Sequence, residues 1–294
     1  TLPGNWRRAI DIEALEEHLK KDTKKEIKGV LIIHTETATG ITNDLSAIRS
    51  AIDSANHPGL LIVDTVAAAG TVDYRMDEWG IDITVGASQK GLMMPPGIGI
   101  VAAGEKALSA TKDSTMPRLY WDWKTRLEAE HYRKFCGTAP QLMVFGMREA
   151  LNMLFEEGLE NVFERHRVLA GATQAAVEVW GQAGTLSLNA VEPKERSNGV
   201  TTILTSEGID ADQFRNICRD EMMVGLGGGL GDLSGKAFRV GHMGDINAPM
   251  LYAALSAVES TLGYLNIKYA SGGVTAAIEY VTDVKKNETG PFSF

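Results

Sequence analysis

The sequence has little of several things. Cysteine occurs twice in 294 residues, at Cys136 and Cys218, too rarely and too far apart for a disulfide framework or a zinc site. Basic residues are not in excess. Against 38 Asp and Glu stand 29 Lys and Arg, a net charge of −9 with no basic stripe, which argues against a nucleic-acid partner. Long apolar runs are missing too, since none reaches ten residues, so no segment is expected to span a membrane. The opening TLPGNWRRAID lacks the apolar core of a signal peptide, and a reduced cytoplasmic setting without a metal site is the expectation.

What is present is a 44% hydrophobic content, enough to bury a large core. One large and one smaller domain are expected, over residues 1–148 and 149–294. The informative stretch runs from Leu60 to Gly99. Its apolar start, Leu60 to Val63, is too short for a helix and rich in branched residues, and reads as a strand buried on both faces. Asp64 stands at the C-terminal end of that strand, the edge where open α/β sheets bind ligands. A second apolar run, Ile81 to Val85, delivers Ser88, Gln89 and Lys90 into a loop closed by Pro95, Pro96 and Gly97. An acid and an amine at neighbouring strand ends suit pyridoxal phosphate, whose aldehyde takes an amine and whose ring nitrogen needs a carboxylate. Residue types and spacing alone leave a second possibility, a surface lysine and an aspartate capping the next turn.

Longer motifs narrow the choice. HTETATG (His34 to Gly40), VDTVAAAG, DEWGIDITVGASQKGLMMPPG, GTAP (Gly137 to Pro140), MREALNML, GLENVFERHR and FRVGHMG (Phe238 to Gly244) occur in that order. The series resembles the class V, fold-type I aminotransferases, specifically the serine/alanine/aspartate–glyoxylate branch. The resemblance implies an α/β fold with a mostly parallel central sheet, helices on both faces and a smaller C-terminal α/β domain. It also implies a homodimer with active sites at the subunit interface, pyridoxal 5′-phosphate as cofactor, and amino-group transfer from a small L-amino acid to glyoxylate. By the same resemblance Lys90 and Asp64 are catalytic; Thr37 lies beside the cofactor's phenolic oxygen and the substrate; Val66 packs on the ring; Gln89 and Thr138 contact the phosphate; and Arg239 grips the substrate carboxylate. Relatives carry a further N-terminal stretch, with a phosphate-binding turn and a ring-stacking aromatic, so the sequence is expected to be N-terminally incomplete.

Some positions keep alternatives. Thr37 could instead belong to a turn capping the helix that begins near Asp44. Phe135 stands where a tyrosine is frequent in the family, which puts one phosphate hydrogen bond in doubt. Gln89, where cysteine desulfurases typically carry His, favours transamination; a desulfurase or lyase of the same fold, or a catalytically incompetent fragment, are the competing readings. His166 lies in the charged stretch Glu164 to Arg167 and reads as a surface residue. Gly225 to Gly231 matches neither GxGxxG nor a Walker loop and reads as a flexible turn near the site. Arg239 has an alternative as a strand-edge residue paired with Asp232 or Asp245. Cys218 falls inside an expected helix, out of reach of desulfurase chemistry.

Overall fold

The computed structural model describes residues 1–128 and 130–287. The N-terminal half runs α1 (Ile12–Lys21), β1 (Gly29–Ile33), β2 (Thr35–Glu36), β3 (Ile41–Thr42), α2 (Leu45–Ser54), β4 (Leu60–Asp64), β5 (Ile83–Ala87), β6 (Gly99–Ala103) and α3 (Glu105–Ala110). A short α4 (Trp123–Arg126) then leads to the long helices α5 (Gln141–Glu157) and α6 (Leu159–Trp180). The rest is β7 (Leu186–Leu188), β8 (Val200–Thr205), α7 (Ala211–Asp220), β9 (Gly227–Gly228), β10 (Ala237–Gly241), α8 (Ala248–Tyr264) and α9 (Gly273–Asn287). Side-chain caps fix several helix starts. Asp11, Asp44 and Asn247 each accept from the amide three residues on, and Asp210 from Asp212 N and Gln213 N.

The first sheet has the order β1-β4-β5-β6; its first three strands are parallel and β6 runs antiparallel to β5. Alternation along the strands separates two faces. Val30, Ile32, Leu61 and Val63 pack on α1 and α2 through Leu15, Leu19, Leu45, Ile48 and Ile52. The opposite face carries Ile33, Asp64 and Val85 side by side, with Val101 across from Val85. That face is largely open, with Leu31 at 75%, Val101 at 52%, Ile33 at 43% and Val85 at 37% exposure. β4 is therefore not buried on both faces: Leu61 and Val63 are buried, Ile62 and Asp64 only half-buried. An open cleft of about 760 Å³ follows β1, lined by the N-terminal residues, α1 and residues 36–43; neither Asp64 nor Lys90 lines it.

The second sheet, β7-β8-β10-β9, is antiparallel throughout. It closes a separate core with α6, α7, α8 and α9, built around Trp180, Phe214, Phe238, Leu251 and Leu255. The rings of Phe214 and Phe238 stack at 4.6 Å, and the buried Trp180 donates its indole N–H to Glu259 at 2.8 Å. Two expectations are corrected here. Gly227 and Gly228 form a strand paired with Phe238 and Arg239, not a flexible turn. A Cβ at Gly227 would lie 3.2 Å from Arg239 Cβ, and one at Gly228 would lie 2.8 Å from Arg215 Nη1, so glycine is what lets this strand pass between two arginines. His166 is fully buried, because α6 turns the side containing Val162, Arg165, His166, Leu169 and Thr173 inward.

Candidate active site

Asp64 closes β4, flanked in register by Ile33 and Val85. Its Oδ1 accepts from Val66 N at 2.8 Å, while no hydrogen bond reaches Oδ2 from the described residues. The strand ends here, and Val66 lies near the acid through this local turn. The loop after β4 is pressed onto the loop after β5, backbone against backbone. A Cβ at Gly70, whose φ is +78°, would stand 2.7 Å from Gly91 O, and one at Gly91 would stand 2.3 Å from Ala69 O. Two glycines thus hold the segment carrying Lys90 against the segment that follows Asp64.

Lys90 is half-buried, and its amine has neither a hydrogen bond nor an ion pair among the described residues. Ser88, two residues before it, braces the loop. It is fully buried, and its hydroxyl donates to Pro95 O at 2.7 Å and accepts from Ile98 N at 3.3 Å, closing the loop from behind. Gln89 is exposed and free of side-chain hydrogen bonds to the described residues. Among the described residues, an amine without a partner, a carboxylate with one free oxygen and a tight backbone approach form a donor set that fits an aldehyde-bearing heterocycle.

The second sheet brings Arg239 to Thr37. Arg239 Nε donates to Gly228 O at 2.7 Å and Nη1 to Thr37 O at 2.9 Å. The pairing with Asp232 or Asp245 is not formed, since the guanidinium is held by carbonyl oxygens instead, with Nη2 left over. Burial lowers the pKa of Arg239, nearby Arg215 lowers it further, and Glu36 opposes both. The next three carbonyls of the Thr37 loop are held from the same side. Ala38 O accepts from Thr202 Oγ1 at 3.2 Å, Thr39 O from Asn189 Nδ2 at 2.8 Å, and Gly40 O from Ser197 N at 2.9 Å. Asn189 spends its second amide hydrogen on Trp6 O at 2.8 Å. Nothing in the sequence pointed to Asn189 or Thr202, which act across 150 and 164 positions.

Behind Arg239 the chain continues into a clamped turn. Arg165, paired with both oxygens of Glu157 at 2.6 and 2.8 Å, donates to Gly244 O at 2.8 Å and Ile246 O at 3.1 Å. His166 donates from Nδ1 to Val162 O and accepts at Nε2 from Gly244 N. His242 donates from Nδ1 to Asn198 O and accepts from the Thr201 hydroxyl. Burial pushes both imidazoles down to about 4. Thr138 is not brought to the other candidates: it is exposed, after the left-handed turn at Cys136. Cys218 is fully buried in α7, and burial raises its thiol pKa, which disfavours the nucleophilic thiolate.

The sheet topology with its acid and amine at adjacent parallel strand ends defines a class, and the comparisons name it: residues 1–231 match aminotransferase class-V, and the chain belongs to that family. A serine–glyoxylate aminotransferase of Methylorubrum extorquens is 40% identical over 284 residues, covering 95% of this chain and 70% of the relative. An L-aspartate–glyoxylate aminotransferase of Paracoccus denitrificans is 38% identical over 276 residues, covering 94% of this chain and 69% of the relative. The crystal structure of a pyridoxamine–pyruvate aminotransferase from Mesorhizobium loti superposes with a TM-score of 0.87 at 28% identity, covering 97% of this chain and 71% of that one.

Proposed function

We propose that this chain moves the amino group of a small L-amino acid, serine, alanine or aspartate, to glyoxylate, using pyridoxal 5′-phosphate held between the ends of β4 and β5. The observation that carries the reading is the juxtaposition of the two strand-end loops at Gly70 and Gly91, which brings the segment carrying Lys90, unpaired among the described residues, against the segment that follows Asp64. When bound, the cofactor supplies an aldehyde that takes up amines and a cationic ring that accepts electrons.

The chain's own residues do the rest. Lys90 Nζ would hold the cofactor through its aldehyde, and as a free amine it would serve as the base that takes the substrate's α-proton and returns it. Asp64 would hold the ring nitrogen with its carboxylate and favour the protonated ring. Arg239 grips the substrate carboxylate with the donors its two carbonyl partners leave free. The Thr37 hydroxyl would donate to the phenolic oxygen, Val66 would pack on one face of the ring, and Gln89 would contact the phosphate. Thr138 would serve a second copy's phosphate in a homodimer, a role supported by the exposure of Leu119, Tyr120, Trp121, Leu127 and Phe135 along the segment before it. A division into domains 1–148 and 149–294 is supported by the two separate cores, one around each sheet.

Borohydride reduction followed by peptide mass spectrometry tests the reading, with the cofactor mass expected on Lys90 and lost in Lys90→Ala. Reduction that labels no lysine, or sulfide release from cysteine in place of glyoxylate-dependent keto-acid formation, would sink it. Arg239→Lys keeps the charge but loses the planar fork; the KM for the amino acid should rise by about 10- to 100-fold, as steady-state kinetics would report.

A further inference from the structure

The loop of Thr37 grows out of the first sheet, yet four consecutive carbonyl oxygens on it, from Thr37 to Gly40, are all held by the C-terminal half. We propose that Thr202 and Asn189, whose side chains hold the second and third of these carbonyls, are positioning residues that set where the Thr37 hydroxyl stands. Neither touches the proposed reacting atoms; both act through the backbone of residues 37–40. The inference rests on the role given to Thr37 above.

Three features argue that these contacts determine the loop and do not merely accompany it. Thr202 and Asn189 are buried, at 2% and 0% exposure, so water does not compete for the carbonyls. Gly40 has φ +69°, and a Cβ there would lie 3.1 Å from Thr202 N, so the loop is set against β8 at backbone distance. Asn189 is itself fixed, since its own amide donates to Thr202 O at 2.9 Å and its Nδ2 bridges Trp6 O and Thr39 O. Within the loop, Gly40 N donates to Glu36 O and Ala38 N to the Glu36 carboxylate. Those two bonds brace the turn but leave its attitude toward the site to the C-terminal half.

Amide hydrogen exchange of the full chain without cofactor reads the proposal directly. Thr202→Val, which keeps shape and removes the hydroxyl, should speed exchange at Ala38 and Gly40 by about tenfold while β4 is unchanged, and Thr202→Ser should restore protection. Asn189→Leu should act at the same amides. With cofactor and substrates, Thr202→Val should lower kcat by about tenfold with little change in the KM for the amino acid, and the Thr37→Val/Thr202→Val double variant should be no slower than Thr37→Val alone. Unchanged exchange, or effects on kcat that multiply in the double variant, would overturn the proposal, because a merely structural contribution is independent of Thr37. Full activity of Thr37→Val would instead remove the catalytic role given to Thr37, and the exchange measurements would still decide whether the loop is held.

Discussion

A methyl group added at Gly91 would meet Ala69 O at 2.3 Å and Thr71 Cγ2 at 2.8 Å, and both belong to the loop that follows Asp64. Backbone cannot rotate away as a side chain can, so Gly91→Ala should separate the two loops at a cost of about 1–3 kcal/mol. Loss of cofactor binding with an unaltered far-ultraviolet circular dichroism spectrum is the expected outcome, read by visible absorbance after adding pyridoxal phosphate. Ser88→Ala, one residue before the exposed Gln89, should lower unfolding free energy by about 1–3 kcal/mol in urea, because Pro95 O loses a buried donor. At this scale the sequence was legible where chemistry is local. Asp64 and Lys90 could be placed because strand ends follow from apolar runs and turn residues. Asn189 and Thr202 could not, because their meaning lies in which distant carbonyl they meet.

Helix α6 shows how charge can mask a buried face. Glu164, Arg165 and Arg167 surround His166, and the neighbourhood looks solvated; the helical period through Val162, Leu169 and Thr173 carries the contrary signal, and the structure follows the period. The consequence is measurable. His34, His166 and His242 are all pushed by burial to about 4, below the ordinary value of 6.5. Between these limits the unfolded chain binds protons that the folded one refuses, so stability is full above pH 6.5 and falls as pH drops toward 4, by on the order of 3 kcal/mol per ring. Urea unfolding at successive pH values should show about one proton of this slope vanishing in His166→Gln. The strand β9 was hidden for the opposite reason. A run of glycines carries no strand propensity of its own, and only the arginines on either side explain why side chains are absent there.

For the whole molecule, the two sheets and the helices between them follow from apolar periodicity and from the order of the family's motifs, which is why the α/β architecture was legible at all. The open face of the first sheet was not, since alternation tells which residues share a side but not what lies over it. Leu31, Ile33, Val85 and Val101 make that side an adhesive surface. The chain should therefore bind anilinonaphthalene sulfonate, and the pair Leu31→Lys and Val101→Lys should reduce the fluorescence gain while leaving the Trp180 core intact.

The four tethered carbonyls have a mechanical corollary. Thr37 is covalently continuous with the strand layer of Asp64 and Lys90, but by its bonding it travels with Arg239. Any hinge swing between the halves would thus move Thr37 and Arg239 together as a single jaw against a fixed anvil of acid and amine, so substrate grip and hydroxyl placement would engage in one stroke.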